Sequence, residues 1–182
     1  MKLRNYIALS LFAGMTAACD YTDLSPLDSF TDQTYWTSTN DLKLYANGLY
    51  GVLSSPSATL DNVSDNFVTS NYSSYLFDEM TVPTEASAGN GWYWNDIRAC
   101  NYFMKRYSKV AGNQNEINKY VAEVRFFRGL HYFNKIKMFG DVPYYDEDLQ
   151  TDDNNQLYKG RDPRDLVLGK VIDDFLFAIK WL

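Results

Sequence analysis

Apolar residues recur at helical spacing in four separate stretches of the chain. In the first stretch Leu42, Ala46, Leu49 and Leu53 follow one another at intervals of four, three and four residues. This spacing predicts an amphipathic helix that is capped by Thr39 or Asn40 and ends before Pro56. A second helix is predicted over residues 96–110. A last one begins at Asp162-Pro163, and its apolar stripe comprises Leu166, Val167, Val171, Phe175, Ala178 and Leu182.

The strongest helical pattern covers residues 115–139, where apolar side chains occupy more than half of the circumference. They include Ile117, Val121, Val124, Phe127, Leu130, Phe133 and Ile136, with Tyr120, Phe126 and Tyr132 besides. A helix that is apolar almost all round is predicted to lie between others. Gly140 is expected to end it. Residues 56–91 read as a long loop and residues 144–160 as a polar, acidic connection. No stretch has the alternation of a strand, so the fold class is mainly α.

The first residues have the organisation of an export signal. Lys2 and Arg4 precede a ten-residue apolar run, residues 6–15, which is too short to span a bilayer. Thr16-Ala17-Ala18 then leads directly into Cys19, as in the lipobox of bacterial lipoproteins, where the cysteine is acylated. The alternative is an ordinary secretory signal. The predicted organisation is a signal peptide over 1–18, a lipidated tether over 19–32 and a helical domain over 33–182.

Composition and charge exclude several functional classes. The chain has 17 basic and 23 acidic residues, a net charge of −6, two cysteines and one histidine. An acidic surface argues against nucleic acid as a partner. Neither paired His/Cys spacing nor a nucleophile, phosphate-loop or metalloprotease motif is present, so we expect no enzyme, no metal and no cofactor. Cys100 is expected to be a small, buried apolar side chain.

Three groups of charged or titratable residues allow two interpretations each. His131 is expected to be a core residue with satisfied hydrogen bonds rather than a ligand. Arg125 and Arg128 could hold an anionic ligand, but a pair buried against Asp or Glu that joins helices is favoured. The acidic residues 146–148 and 152–153 lack the EF-hand pattern, which favours a solvated loop over a calcium site.

Several segments, in order, resemble the SusD/RagB family of lipoproteins. They are Ser25-Pro26-Leu27-Asp28 after the lipobox, Tyr35-Trp36, residues 97–101 (IRACN), residues 122–133 (AEVRFFRGLHYF) and residues 139–143 (FGDVP). Gly129 replaces the family's usual Ala, which costs about 1 kcal/mol of helix propensity and would be compensated by close helix contact. Family members are much longer, and the chain ends inside an apolar helix, so we expect an incomplete, N-terminal portion.

The resemblance implies tetratricopeptide-like helical pairs and a non-enzymatic role. Members of the family act at the outer membrane as the lid of a SusC-like, TonB-dependent transporter. They bind an oligosaccharide or, in the RagB branch, a peptide. A helical scaffold that recruits a protein partner is a further alternative. The family's N-terminal binding residues lie near the end of the long loop. There Trp92, Asn90 and Tyr93 are the candidate ligand contacts, whereas Trp94 and Trp36 are expected to be structural.

Overall fold

The computed structural model describes residues 32–53, 70, 76–79 and 91–182. Within these ranges the secondary structure is helical, apart from a single antiparallel bridge between Val142 and Asp162. The helices are α1 (Asp32–Tyr35), α2 (Thr39–Leu49), α3 (Asn95–Arg106), α4 (Gln114–Phe139), α5 (Asn154–Leu157) and α6 (Arg164–Trp181). One-turn 3₁₀ segments, Tyr50–Val52 and Tyr107–Lys109, follow α2 and α3. The predicted mainly α class is confirmed.

The chain divides into two compact units, and the second, Trp36–Leu182, contains α2 to α6. Of the first unit the structure describes α1 alone. The predicted signal peptide, Cys19 and almost all of the tether lie outside the described residues, so that organisation stays a prediction. Within the described part of the chain, no helix has the length and apolarity needed to cross a membrane.

The ends of the helices follow local capping chemistry. The predicted cap of α2 is wrong by one residue, because Ser38 takes that position and its N–H donates to the Asp41 carboxylate at 2.8 Å. At the start of α4 the Asn113 side chain accepts from the N–H of Asn115 at 2.9 Å. Gly140, with φ of +70°, ends α4 as predicted.

Helix α4 is the centre of the second unit, and it packs most extensively against α6 and also against α3 and α2. Gly129 permits the contact with α6, because a Cβ atom there would lie 2.9 Å from the Phe175 ring. The helix is not buried all round, since Phe126 and Phe133 are each more than a third exposed. The core residues are Trp36, Leu42, Ala46, Ile97, Cys100, Phe103, Val121, Val124, Phe127, Tyr132, Val142, Val167 and Val171.

The buried face of α6 differs from the predicted apolar stripe, because it includes an aspartate that binds α4. Leu166 and Leu182 are exposed, whereas Asp174 is buried between Val171 and Ala178. Arg128 binds the Asp174 carboxylate side-on, with Nε and Nη2 each 2.7 Å from one of its oxygens. Arg125 Nε donates to the same carboxylate at 2.7 Å. The interpretation of Arg125 and Arg128 as a pair that joins helices is confirmed.

A second buried cation, Lys135, fixes the segment that enters α3. Its ammonium donates to the carbonyl oxygens of Gly91, at 3.0 Å, and Tyr93, and it lies 4.4 Å from the centre of the Trp94 ring. Burial lowers the pKa of Lys135 to about 8, while the nearby Asp96 opposes that shift. The same segment contacts α4 closely, because a Cβ at Gly91 would lie 2.9 Å from Met138 Sδ.

His131 is not the satisfied core histidine expected from the sequence. Its Nδ1 lies 3.8 Å from the Asp96 carboxylate, and its Nε2 is buried without a hydrogen-bond partner in the part of the chain that the structure describes. Burial lowers the pKa of His131, Lys135 acts in the same direction, and Asp96 opposes both. The imidazole is therefore held toward its neutral form.

Asp174→Ala is expected to lower the free energy of unfolding by about 3–5 kcal/mol, because it leaves a buried guanidinium without its carboxylate. Asp173→Ala is the matched control, since the Asp173 side chain is exposed and only its carbonyl oxygen accepts from Arg125. It should change stability by no more than about 0.5 kcal/mol. Urea unfolding of both variants measures the difference. Equal losses would show that the Asp174 carboxylate contributes nothing specific.

Lys135→Met is expected to remove a dependence of stability on pH. The ordinary lysine pKa of 10.5 falls to about 8 in the folded chain, so the unfolded state binds more protons between these values. Stability of the native sequence should therefore rise from pH 8 to 10.5, by up to about 1.4 kcal/mol per pH unit. The measurement is the difference in unfolding free energy between the native chain and Lys135→Met across this range. The exposed Lys137→Met serves as control, and a flat difference for Lys135→Met would contradict the expectation.

Candidate functional site

A cavity of about 610 Å³ lies between the segment that enters α3 and the connection from α4 to α6. Residues 92–101 form one wall and residues 143–161 form the other. Its lining residues are Trp92, Trp94, Ile97, Arg98, Asn101, Pro143, Tyr145, Glu147, Leu149, Gln150, Thr151, Leu157, Tyr158, Lys159, Gly160 and Arg161. A cavity of this size, with aromatic walls and a few polar groups, is typical of a small-ligand site.

Aromatic rings line the cavity and connect it to the core. The ring centres of Trp92 and Trp94 are 5.4 Å apart, edge to face, and the Trp94 ring lies 5.5 Å from that of Tyr145. Trp92 also contacts Phe139, at the end of α4, at 4.8 Å. These contacts fix the orientation of the two indoles, because edge-to-face pairs stabilise a particular geometry.

Hydrogen bonds directed at the backbone hold the far wall in place. The Tyr132 hydroxyl accepts from the Tyr145 N–H at 2.7 Å and donates to the Tyr145 carbonyl at 2.9 Å. Asn101 Nδ2 donates to the carbonyls of Tyr145, at 2.8 Å, and Glu147, at 3.2 Å. Asn101 Oδ1 accepts from Arg128 at 3.3 Å, which links this wall to the Arg128–Asp174 ion pair.

The acidic connection is only partly a solvated loop, contrary to expectation. Asp146 and Glu147 are exposed, but Asp148 is 4% exposed. Its Oδ2 accepts from Arg106 at 2.7 Å, and its Oδ1 is buried and has no hydrogen-bond partner among the residues that the structure describes. Among the described residues no group of acidic, histidine or cysteine side chains is arranged to hold a metal ion.

Basic side chains also line the cavity. The Arg161 guanidinium lies over the Trp92 ring, 4.8 Å from its centre, and Lys159 Nζ lies 5.1 Å from the centre of the Tyr145 ring. Lys159 is paired with Asp162 at 2.9 Å. The pKa of Asp162 is lowered, chiefly by the hydrogen bond that its carboxylate accepts from the Tyr144 N–H and also by Lys159.

Of the three ligand contacts predicted from the sequence, one lines the cavity, one does not, and one lies outside the described residues. Trp92 lines the cavity. Tyr93 is not part of the lining; its ring is about half exposed, and its hydroxyl accepts from Asn95 at 2.7 Å. Asn90 lies outside the described residues. Trp36 is buried in the core, as expected. Trp94 packs against the core cluster that contains Ile97 and Tyr132, and it also borders the cavity.

Sequence reasoning missed the wall formed by residues 143–161. Tyr158, at the cavity mouth, is 84% exposed, and Arg161 and Lys159 follow it within three residues. The available signal was an aromatic residue beside two cations in a segment that is otherwise polar and acidic. That composition is equally typical of an ordinary surface loop, so it could not distinguish the wall of a cavity from such a loop.

Comparison with known proteins gives a consistent family likeness. No family model matches the chain. Two SusD-like proteins of Formosa agariphila, P2 and P25, are 20% and 24% identical to it over 90% and 98% of its length. The chain spans only 35% and 38% of these relatives, about a third of their length.

Solved structures show the same fold. A SusD-like protein from Bacteroides fragilis superposes with a TM-score of 0.71 and 25% identity, covering 87% of this chain and 32% of that one. A SusD-like carbohydrate-binding protein from the same organism superposes with a TM-score of 0.63 and 21% identity, covering 82% and 32%. In sequence and in fold, the chain is similar to SusD-like proteins over the part of them that it spans.

Proposed function

We propose that the chain is part of a nutrient-binding protein that holds an oligosaccharide in the cavity between residues 92–101 and 143–161. The observation that carries the proposal is an aromatic cavity with an exposed tyrosine, Tyr158, at its mouth. Pyranose rings present apolar C–H faces, which aromatic rings bind, and hydroxyl groups, which amides and charged side chains bind. Gln150 and Glu147 supply such polar groups in the same lining.

The aromatic walls favour a glycan over the alternatives. A peptide site of the RagB kind is expected to have aliphatic or acidic walls without neighbouring aromatic rings. A protein-recruiting scaffold is expected to present a continuous apolar groove instead of a ligand-sized cavity. The likeness to a carbohydrate-binding protein of the same fold supports the glycan proposal. The proposed role is binding without catalysis.

The proposed setting follows from the family likeness and from the N-terminal sequence. We propose that Cys19 bears the acyl chains that anchor the protein to the outer membrane, facing the cell exterior. An anionic chain gains no electrostatic attraction to a membrane surface, so the acyl chains would supply the binding energy. The proposed partner is a SusC-like, TonB-dependent transporter that receives the cargo. Trp92 and Asn90 remain candidate ligand contacts, whereas Tyr93 is not proposed as one, because its ring lies outside the cavity lining.

Tyr158→Ala is expected to weaken oligosaccharide binding about tenfold, because it removes an exposed stacking surface without disturbing the core. Glycan and peptide arrays identify the ligand, and calorimetry with that ligand measures the affinity. Tyr158→Phe should bind like the native chain. Tyr93→Ala is the matched control, because it removes a half-exposed ring outside the cavity lining.

Three other outcomes would contradict the proposal. Equal weakening by Tyr93→Ala and Tyr158→Ala would place the ligand away from the cavity. Binding of peptides alone would move the assignment to the RagB-like branch. A folded protein that binds nothing on either array would favour the scaffold.

A further inference from the structure

The charge of the cavity wall is opposite to that of the chain as a whole. The sequence has six more acidic than basic side chains. The cavity lining nevertheless contains three basic residues, Arg98, Lys159 and Arg161, and one acidic residue, Glu147. Low-dielectric walls strengthen the field inside a cleft, so a local excess of positive charge attracts anions there.

The two arginines are the cations available to a ligand. Lys159 is already neutralised by Asp162, at 2.9 Å. Among the residues that the structure describes, neither Arg98 nor Arg161 forms an ion pair. Within the described ranges, Arg161 donates a single hydrogen bond, to the Asp141 carbonyl at 3.5 Å. Arg98 is exposed on the first turn of α3 and lines the cavity. A guanidinium without an ion-pair partner retains donors that match a carboxylate or a sulfate.

The position of Arg161 also changes what Trp92 can bind. The guanidinium lies over the indole, 4.8 Å from the ring centre. A neutral sugar that stacks on this face has to displace the cation and forfeit the cation–π attraction. An anionic group can instead bind the guanidinium where it already lies, while the exposed Tyr158 ring remains for stacking.

We propose that the cavity selects an anionic oligosaccharide, whose carboxylate or sulfate group binds Arg161 and Arg98 while a sugar ring stacks on Tyr158. This inference rests on the proposed function, and it specifies the ligand class of the same site. Uronic acid residues and sulfate esters share the required chemistry.

The test is an array of matched glycans, probed with the full chain at low and at high salt. It contains oligogalacturonides and their carboxyl-reduced forms, sulfated galactan oligosaccharides and their desulfated forms, and acidic peptides. Arg161→Gln is compared with Arg164→Gln, which removes the same charge from an exposed arginine outside the cavity lining. Calorimetry with each hit gives the affinities.

The expected result is binding of charged glycans above their neutral forms. Affinity should fall about tenfold in Arg161→Gln and less than about twofold in Arg164→Gln, because a charge-assisted hydrogen bond is lost only in the first. The two charged series distinguish carboxylate from sulfate as the source. Equal binding of charged and neutral glycans would overturn this inference and leave the proposed function intact. Binding of acidic peptides alone, or of nothing, would overturn both.

Discussion

The pairing of Arg128 with Asp174 is the interaction on which the rest of the described structure depends. Both residues are buried, and two parallel hydrogen bonds of 2.7 Å join α4 to α6. A buried ion pair stabilises a protein little compared with a well-packed apolar pair, but it tolerates few alternative arrangements, because either charge left alone is costly. It therefore fixes how the two helices are aligned. Gly129, next to Arg128, lets them approach closely enough for the bonds to form.

The same cluster determines the shape of the cavity. Asn101 accepts from Arg128 and donates to two carbonyls of the far wall, so the wall is joined to the ion pair through one side chain. Lys135, further along α4, holds the opposite segment by the carbonyls of Gly91 and Tyr93. Both walls are thus bound through their backbones, which leaves side chains such as Tyr158 and Arg161 exposed along the cavity. A rigid frame with accessible side chains suits a binding site.

Much of the helical frame could be predicted from the sequence, whereas most of the site could not. Periodicity gave α2, α3, α4 and α6 to within a few residues, since apolar spacing directly reports a buried face. Apolar periodicity did not predict which charged side chains are buried. Asp148 is predicted to lie in a solvated loop, and Asp174 is not part of the predicted apolar stripe of the last helix, yet each is buried against an arginine distant in sequence. Residues 143–161 lack any period because contacts with α3 and α4, not local propensity, determine their course. The proposed role of Tyr158 and Arg161 depends on the path of this segment, so it could not be predicted from the sequence.

Amide hydrogen exchange in an Asn101→Ala variant tests the central claim most directly, namely that the ion-pair cluster holds the wall of the cavity. The Tyr145 N–H donates to Tyr132, and in the variant the carbonyls of Tyr145 and Glu147 both lose the Asn101 donor, while the Tyr145 carbonyl keeps the Tyr132 hydroxyl. The account predicts that exchange at Tyr145 and its neighbours accelerates by about fivefold to a hundredfold, since the loss of the Asn101 hydrogen bonds costs about 1–3 kcal/mol. Protection in the middle of α4 should be retained. Unchanged exchange at Tyr145 in a folded variant would contradict the claim, because the wall would then be held independently of Asn101 and the ion pair.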